Sequence, residues 1–188
     1  MNIELLKKEL KSSKLIKNII YLQTVGSTND YAKTEKINEN SLVLAKVQTN
    51  GRGQKDHSWY GGTDNIAMTI FLKPNCDISF FKELTLDIGT IICNSLKELY
   101  GINAIVKKPN DILCNGKKIC GILTETKLDG NIVKELIIGI GLNVNQPEFP
   151  EELKEIATSL KIETTKNSSK ELIIANICKK LETYHIKL

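Results

Sequence analysis

Lys118-Ile119-Cys120-Gly121-Ile122-Leu123-Thr124-Glu125-Thr126 and Ile132-Val133-Lys134-Glu135-Leu136-Ile137-Ile138-Gly139-Ile140-Gly141-Leu142 are two apolar runs separated by the segment that contains Asp129-Gly130-Asn131. β-branched residues on both sides of an Asp-Gly turn signal spell a hairpin of two strands. Working back along the chain, Ile112–Cys114 and Ala104–Lys107 read as two further short strands. Before them, Phe81, Leu84, Ile88, Ile91, Ile92, Ser95, Leu96 and Leu99 recur at steps of mostly three and four, one apolar helical stripe that Gly101 ends. Ser41–Val47 and Ile66–Leu72 have the apolar character of buried strands, and Asn18–Leu22 is a further strand candidate. Leu5, Leu6 and Leu10 mark a short amphipathic helix at the start, Ser27 or Thr28 caps one running through Tyr31 and Ala32, and Ser168 or Ser169 caps a final one with Ile173, Ile177, Leu181 and Tyr184 inward. Strands in runs with helices interspersed irregularly predict an α+β fold, a mixed β-sheet with flanking helices, and not a doubly wound one.

The composition is consistent with one domain. A chain of 188 residues, 41% apolar and 26% charged, can bury a core and is neither disordered nor membrane-spanning by composition. The first eight residues mix charge with apolar positions, which argues against a secretory signal and for a cytoplasmic protein. Five cysteines form no Cys-x-x-Cys, and no histidine lies near Cys114 and Cys120 to complete a zinc site, so reduced, buried thiols are expected. A net charge of +4 with dispersed lysines does not indicate a dedicated nucleic-acid surface. It leaves anionic small molecules and acidic carrier surfaces as partners.

Four polar clusters stand out against this background. Gln48–Asp64 holds four glycines and little apolar surface between two strands, and its Gly51-Arg52-Gly53-Gln54-Lys55-Asp56-His57-Ser58-Trp59 suits a phosphate, because glycines admit backbone N–H groups and Arg52 offers a planar fork. It is no dinucleotide fingerprint, since Asp56 stands at the third glycine position, and no Walker-type Gly-Lys-Ser/Thr occurs. A solvated hairpin loop anchored by Trp59 fits the same residues. Lys107-Lys108-Pro109-Asn110-Asp111 presents an amide and a carboxylate from a stiff turn, as an ordinary turn also would. Asn115-Gly116-Lys117-Lys118 reads as a hairpin turn, and Gly139-Ile140-Gly141-Leu142-Asn143 puts glycines where a ligand or another backbone approaches, or where a strand bulges.

Taken together and in order, these clusters resemble the biotin protein ligases. Ser27-Thr28-Asn29 matches the family's Ser-Thr-Asn, Gln48 with Gly51-Arg52-Gly53 its Q-x-x-G-R-G-R loop, followed by Trp59 and Asn65. Lys107 with Pro109-Asn110-Asp111 matches K-W-P-N-D, Lys118 to Glu125 matches K-x-x-G-I-L-x-E, and Gly139 to Asn143 matches G-x-G-x-N. Two positions depart: Lys108 replaces the tryptophan, and Gln54 the second arginine.

The resemblance implies a catalytic domain over residues 1–188, with the motifs in 27–145, no N-terminal winged helix and a C-terminal small barrel absent or missing. It implies ATP-dependent formation of biotinyl-5′-adenylate and transfer of biotin to a lysine of a biotin carboxyl carrier domain, without specific DNA binding or membrane attachment. Lys118, Arg52 and Asp111 are then catalytic, with Asp111 serving Mg²⁺ or the incoming lysine. Biotin falls to Ser27, Thr28, Asn29, Gln48, Gly51, Arg52, Gly53, Gln54, Lys118, Gly121 and Leu123. ATP and the adenylate fall to Arg52, Trp59, Asn110, Lys118 and Asn143. The alternatives are a lipoate or octanoate ligase or transferase, whose Arg-rich, Gly-Gly-Gly and His-Asp motif is not found here, and a non-catalytic biotin-binding protein.

Overall fold

The computed structural model describes residues 1–34, 37–55 and 57–183; Asp56 and Tyr184 lie outside that set. In chain order the elements are α1 (Ile3–Glu9), β1 (Asn18–Val25), α2 (Thr28–Ala32), β2 (Ser41–Gln48), β3 (Ile66–Leu72), β4 (Cys76–Asp77), a 3₁₀ turn (Ile78–Phe81), α3 (Leu84–Tyr100), β5 (Ile105–Lys107), β6 (Asp111–Cys114), β7 (Lys117–Asp129), β8 (Ile132–Leu142), α4 (Glu151–Lys154), α5 (Leu160–Thr164) and α6 (Lys170–Thr183).

All strands join one mixed sheet in the order β1-β2-β3-β8-β7-β6-β5, with β4 added on β8. The β1–β2 pair is parallel and the remaining pairs are antiparallel. This is the predicted α+β class. The β7–β8 hairpin forms as read, with Gly130 at φ 57° in its turn, a conformation that glycine adopts at little cost.

The period-two alternation of the strands separates two faces. Leu42, Leu44, Met68, Ile70, Ile122, Ile138, Ile140 and Leu142 point into a large core. That core is closed by α1, α3 and α6, through Leu6, Ile88, Ile92, Leu96, Ile173, Ile177 and Leu181, all buried. The opposite face carries Val43, Phe71 and Ile137, covered by Ala32 and Ile37 as a small second cluster. Beyond that cluster the same face bears Thr69, Gly121, Leu123, Gly139 and Gly141, and there the functional site lies.

The elements differ from expectation mainly at their ends. β1 continues past Leu22 to Val25, because Thr24 and Val25 pair with Val47 and Gln48 of β2. α3 begins at Leu84, and Phe81 belongs to the 3₁₀ turn that Asp77 caps through a bond from Ser79 N. Gly101 ends α3 at φ 71°, as read. Ser27, not Thr28, caps α2, and Ser169, not Ser168, accepts the capping bond of α6 from Leu172 N at 3.3 Å. The cysteines are free, with Cys114, Cys120 and Cys178 buried and Cys76 and Cys93 half-buried.

Candidate functional site

Ser27, Thr28 and Asn29 enter the site because α2 begins there, on top of β3. The Thr28 N–H and hydroxyl both donate to Gln48 Oε1, at 2.8 and 3.0 Å. Gln48 lines the cavity, and its Nε2 lies 3.2 Å from where a Cβ on Gly51 would stand. Thr69 lies beneath with its hydroxyl 2.8 Å from Thr28 Oγ1 and 2.7 Å from Asn29 Oδ1. Asn29 Nδ2 donates to Leu123 O at 3.2 Å and to Glu125 Oε2 at 2.9 Å. Asn29 is seated directly over Gly139, where any Cβ would collide with its carboxamide. The glycine of β8 thus serves a close approach and not a bulge, because β8 keeps its register through Gly139 and Gly141.

The long loop after β2 curls back on itself through Gly53 N–His57 O, at 2.7 Å, and Trp59 N–Gly51 O, at 2.8 Å. That curl lays the Trp59 indole flat on the sheet. Gly121 and Gly141 face each other across β7 and β8, and a Cβ on Gly141 would stand 2.7 Å from Trp59 Cδ2 and Nε1, one on Gly121 3.0 Å from Cζ3. The indole Nε1 is buried and has no hydrogen-bond partner among the described residues. Trp59 is therefore an anchor, as one reading of the loop held, but it anchors to the floor of a cavity instead of to the core.

Lys118 reaches that cavity through a β-bulge. On a regular strand, a residue three before Gly121 would face away from it. The pairing of β6 with β7 shifts between Ile112 and Leu113, so that Ile112 pairs with Cys120 while Leu113 pairs with Lys118, and Ile119 and Cys120 are both fully buried. The extra residue swings Lys118 onto the side of Asp111 and Gly121. There its ammonium lies 2.6 Å from Asp111 Oδ1 and 5.7 Å from the centre of a Trp59 ring. Lys117 turns outward and donates to Lys154 O at 2.8 Å. Asn110 follows a cis Lys108–Pro109 bond and donates from Nδ2 to Ile122 O at 3.0 Å.

A second charged group closes the other end. Arg52 Nη1 donates to Asp30 Oδ1 at 2.5 Å and Arg52 Nη2 to Glu125 Oε1 at 3.1 Å, while Lys33 Nζ donates to Glu125 Oε1 at 2.8 Å. Burial would push the Glu125 carboxyl up, but the hydrogen bonds from Lys33 and Asn29 and the charges of Lys33 and Arg52 outweigh it and hold Glu125 below the usual carboxylate range. Burial likewise opposes the Arg52 charge, and Asp30 and Glu125 more than restore it.

The cavity between these groups measures about 300 Å³, at the small end of ligand pockets. Ser27, Thr28, Asn29, Gln48, Arg52, Gly53, Gln54, Trp59, Asn110, Asp111, Lys118, Gly121 and Leu123 all line it. Gly51 and Asn143 do not. Gly51 is buried under Trp59 O, which a Cβ would approach to 2.6 Å. Asn143 is buried with its Nδ2 donating to Thr158 O at 3.0 Å, which leaves it outside the cavity wall. Lys108 is exposed, so the missing tryptophan leaves no gap in the core. Sequence reasoning missed Thr69, Asp30 and Lys33 and gave Glu125 no role. A lone threonine in the apolar run Ile66–Leu72 was the available signal for Thr69; the others depend on tertiary proximity.

A sequence model described as the Biotin/lipoate A/B protein ligase family matches residues 21–143, the stretch that builds this cavity. The chain belongs to this family. Among similar ligases, the bifunctional ligase/repressor BirA of Bacillus subtilis (strain 168) is 40% identical over 157 residues, 80% of this chain and 48% of that protein. The biotin--[acetyl-CoA-carboxylase] ligase of Paracoccus denitrificans is 35% identical over 109 residues, covering 54% of this chain and 43% of that one. The biotin protein ligase from Aquifex aeolicus in complex with biotin and ATP superposes with a TM-score of 0.78 at 32% identity, over 89% of this chain and 70% of that one. The chain spans about half the length of the curated relatives it matches. No helix among the described residues is long and apolar enough to cross a membrane.

Proposed function

We propose that the chain is the catalytic unit of a cytoplasmic biotin protein ligase: it joins biotin to ATP as biotinyl-5′-adenylate and passes the biotinyl group to a lysine of a biotin carboxyl carrier domain. One observation carries this reading: a bulge places the Lys118 ammonium beside Asp111 at one end of a cavity whose other end is the Ser27–Gln48 polar cluster. A ligand with a polar ring, an apolar arm and a carboxylate fits between them, with Leu123 and Gly121 along the arm. The relatives named as biotin ligases, and the Aquifex structure with biotin and ATP, support the same substrates.

In the first step a biotin carboxylate oxygen attacks the α-phosphorus of ATP and pyrophosphate leaves. Two like charges approaching to 4 Å repel by about 4 kcal/mol at an effective dielectric of 20, and the Lys118 cation offsets this most as the two groups meet. In the second step a carrier lysine, as the neutral amine, attacks the acyl carbon; the amide bond forms, AMP leaves and the nitrogen loses a proton. Asp111 is placed to receive or orient that amine. Among the described residues no group of three or more His, Cys, Asp or Glu could hold a metal by itself. Asp111 as a single carboxylate fits Mg²⁺, which binds through one or two carboxylates together with substrate phosphates, and the ion would supply charge neutralisation at the triphosphate. The segment ahead of Ser27 forms β1 and a seven-residue α1 that packs on α6, so these 188 residues are expected to bind no DNA sequence selectively.

The test is biotin-dependent exchange of pyrophosphate into ATP, followed by addition of a carrier domain. Exchange with lipoate or octanoate but not with biotin would overturn the substrate assignment.

A further inference from the structure

We propose that Glu125 is a positioning residue that sets the wall of the biotin end and the glycine-rich loop as one unit; the inference rests on the biotin-ligase reading. Glu125 lies on β7 opposite Ile137, on the same face as Gly121 and Leu123, with its side chain 22% exposed. Its two oxygens serve three partners from two other parts of the chain. Oε2 accepts from Asn29 Nδ2 at 2.9 Å and from Arg52 Nη1 at 3.4 Å; Oε1 accepts from Arg52 Nη2 at 3.1 Å and from Lys33 Nζ at 2.8 Å. Asn29 and Lys33 belong to the α2 segment, Arg52 to the loop and Glu125 to the sheet, and the carboxylate is the point at which all three meet.

The contacts of Asn29 show why this matters for binding. Its Nδ2 hydrogens go to Leu123 O and Glu125, and its Oδ1 lies in hydrogen-bond distance of Thr69. Both amide hydrogens are used, so Asn29 braces the wall and does not donate to a ligand unless a bond is broken. Arg52 is committed in the same way: its fork faces Glu125 and Asp30, and with Lys33 the four charges sum to zero. At rest Arg52 ties the loop down. The cavity's other charged pair, Lys118 with Asp111, has no contact with this group. Removing the Glu125 charge should therefore loosen the biotin end and the loop while leaving the reacting end in place.

The conservative change Glu125→Gln keeps the shape but turns an amide donor toward Asn29, Arg52 and Lys33, which are themselves donors. Steady-state exchange of pyrophosphate should show the biotin KM raised about tenfold, the factor that one lost charge-assisted hydrogen bond carries, with kcat within about twofold and the ATP KM raised by less than the biotin KM. Glu125→Asp, which retains the charge on a shorter stem, should recover part of that loss. In Glu125→Gln/Arg52→Gln the biotin KM should rise by less than the product of the two single effects, because the two residues share one interaction. A Glu125→Gln biotin KM within twofold of wild type overturns the proposal. So does an equal fall of kcat and both affinities together with a lowered melting temperature, which marks general damage. If Glu125→Gln does not fold, Glu125→Asp carries the same comparison. A wild type that shows no biotin-dependent exchange would sink the ligase reading instead, before any variant is compared.

Discussion

Adding a single methyl group at Gly141 should drive Trp59 out of the cavity. The new Cβ would stand 2.7 Å from both Cδ2 and Nε1 of the indole, a rigid ring that cannot fold away as a flexible side chain would. Keeping the ring in place costs about 1–3 kcal/mol of overpacking. Letting it leave exposes roughly half of the ~200 Å² an indole buries, about 2.5 kcal/mol at ~25 cal/mol per Å². The two costs are similar, so the softer partner decides. β8 is a central strand bonded on both sides by β3 and β7, whereas the loop carrying Trp59 is held by a few backbone bonds and by the half-exposed Arg52 ion pairs. The ring moves.

Trp59 is the only tryptophan in the chain, so fluorescence excited at the indole band reports on this group alone. In Gly141→Ala the emission should shift to the red and become more accessible to acrylamide, while the melting temperature falls by less than about 4 °C because the sheet is spared. Affinity for the adenylate should fall about 30-fold, the equivalent of ~2 kcal/mol, if the indole forms one wall of its site. Gly26→Ala is the control, since a Cβ there meets nothing within 4 Å. An emission spectrum and quenching constant in Gly141→Ala equal to those of wild type would refute the reasoning, whatever happened to activity.

Lys118→Ala should cut biotin-dependent exchange by more than about 100-fold with the fold intact, whereas Lys117→Ala should be near neutral; equal losses would remove Lys118 from its assigned role. The Glu125 carboxyl sits below the usual 4.5, so its contribution is complete above that value and is lost as pH falls through the lowered one. Trp59 fluorescence in wild type should accordingly change on acidification below pH 4.5, and this step should be missing from Glu125→Gln. Burial pushes the Cys114 thiol up to about 11 and that of Cys178 to about 12, and raises Cys120 as well. Native protein at neutral pH should leave these three unalkylated by iodoacetamide, and full labelling should wait on denaturant. Gln54 lines the cavity and carries no charge, so Gln54→Arg should slow release of biotinyl-adenylate by about tenfold. An unchanged release rate in Gln54→Arg, with faster release in Lys55→Ala, would mean that Lys55 already supplies the cation.

The fold was legible because its signals are local. The β7–β8 hairpin follows from an Asp-Gly turn between β-branched runs, and α3 from an apolar stripe that a glycine ends. The lining residues were legible for a different reason, namely that Ser27–Asn29, Gln48, Arg52–Gln54, Trp59, Asn110–Asp111 and Lys118 stand in a recognisable order. Neither kind of signal reaches the β-bulge at Ile119, which no turn residue announces and which alone explains why Lys118 shares a face with Gly121. Motif order does include Glu125, but not what it holds, because its partners lie 73 to 96 residues away. Motif order assigns Asn143 to the nucleotide, and in the structure its Nδ2 donates to Thr158 O while its buried Oδ1 has no hydrogen-bond partner among the described residues.

Two of the site's cations are held by carboxylates at rest. Lys118 is matched to Asp111 and Arg52 to Asp30 and Glu125, so neither is an unpaired positive charge waiting in the cavity. Such pairing weakens long-range attraction to a triphosphate, but it fixes the ammonium and guanidinium groups in place before a ligand arrives. A cation already bonded to a carboxylate gains little from a ligand of ordinary charge. It gains most where the new anion carries more charge than the old partner, and that condition is met as a biotin carboxylate closes on the α-phosphate. The two pairs then divide the labour by position. The pair on the bulge faces the reacting atoms, and the group around Glu125 keeps the wall and the loop aligned, which is why charge removal at the first should fall on kcat and at the second on the biotin KM.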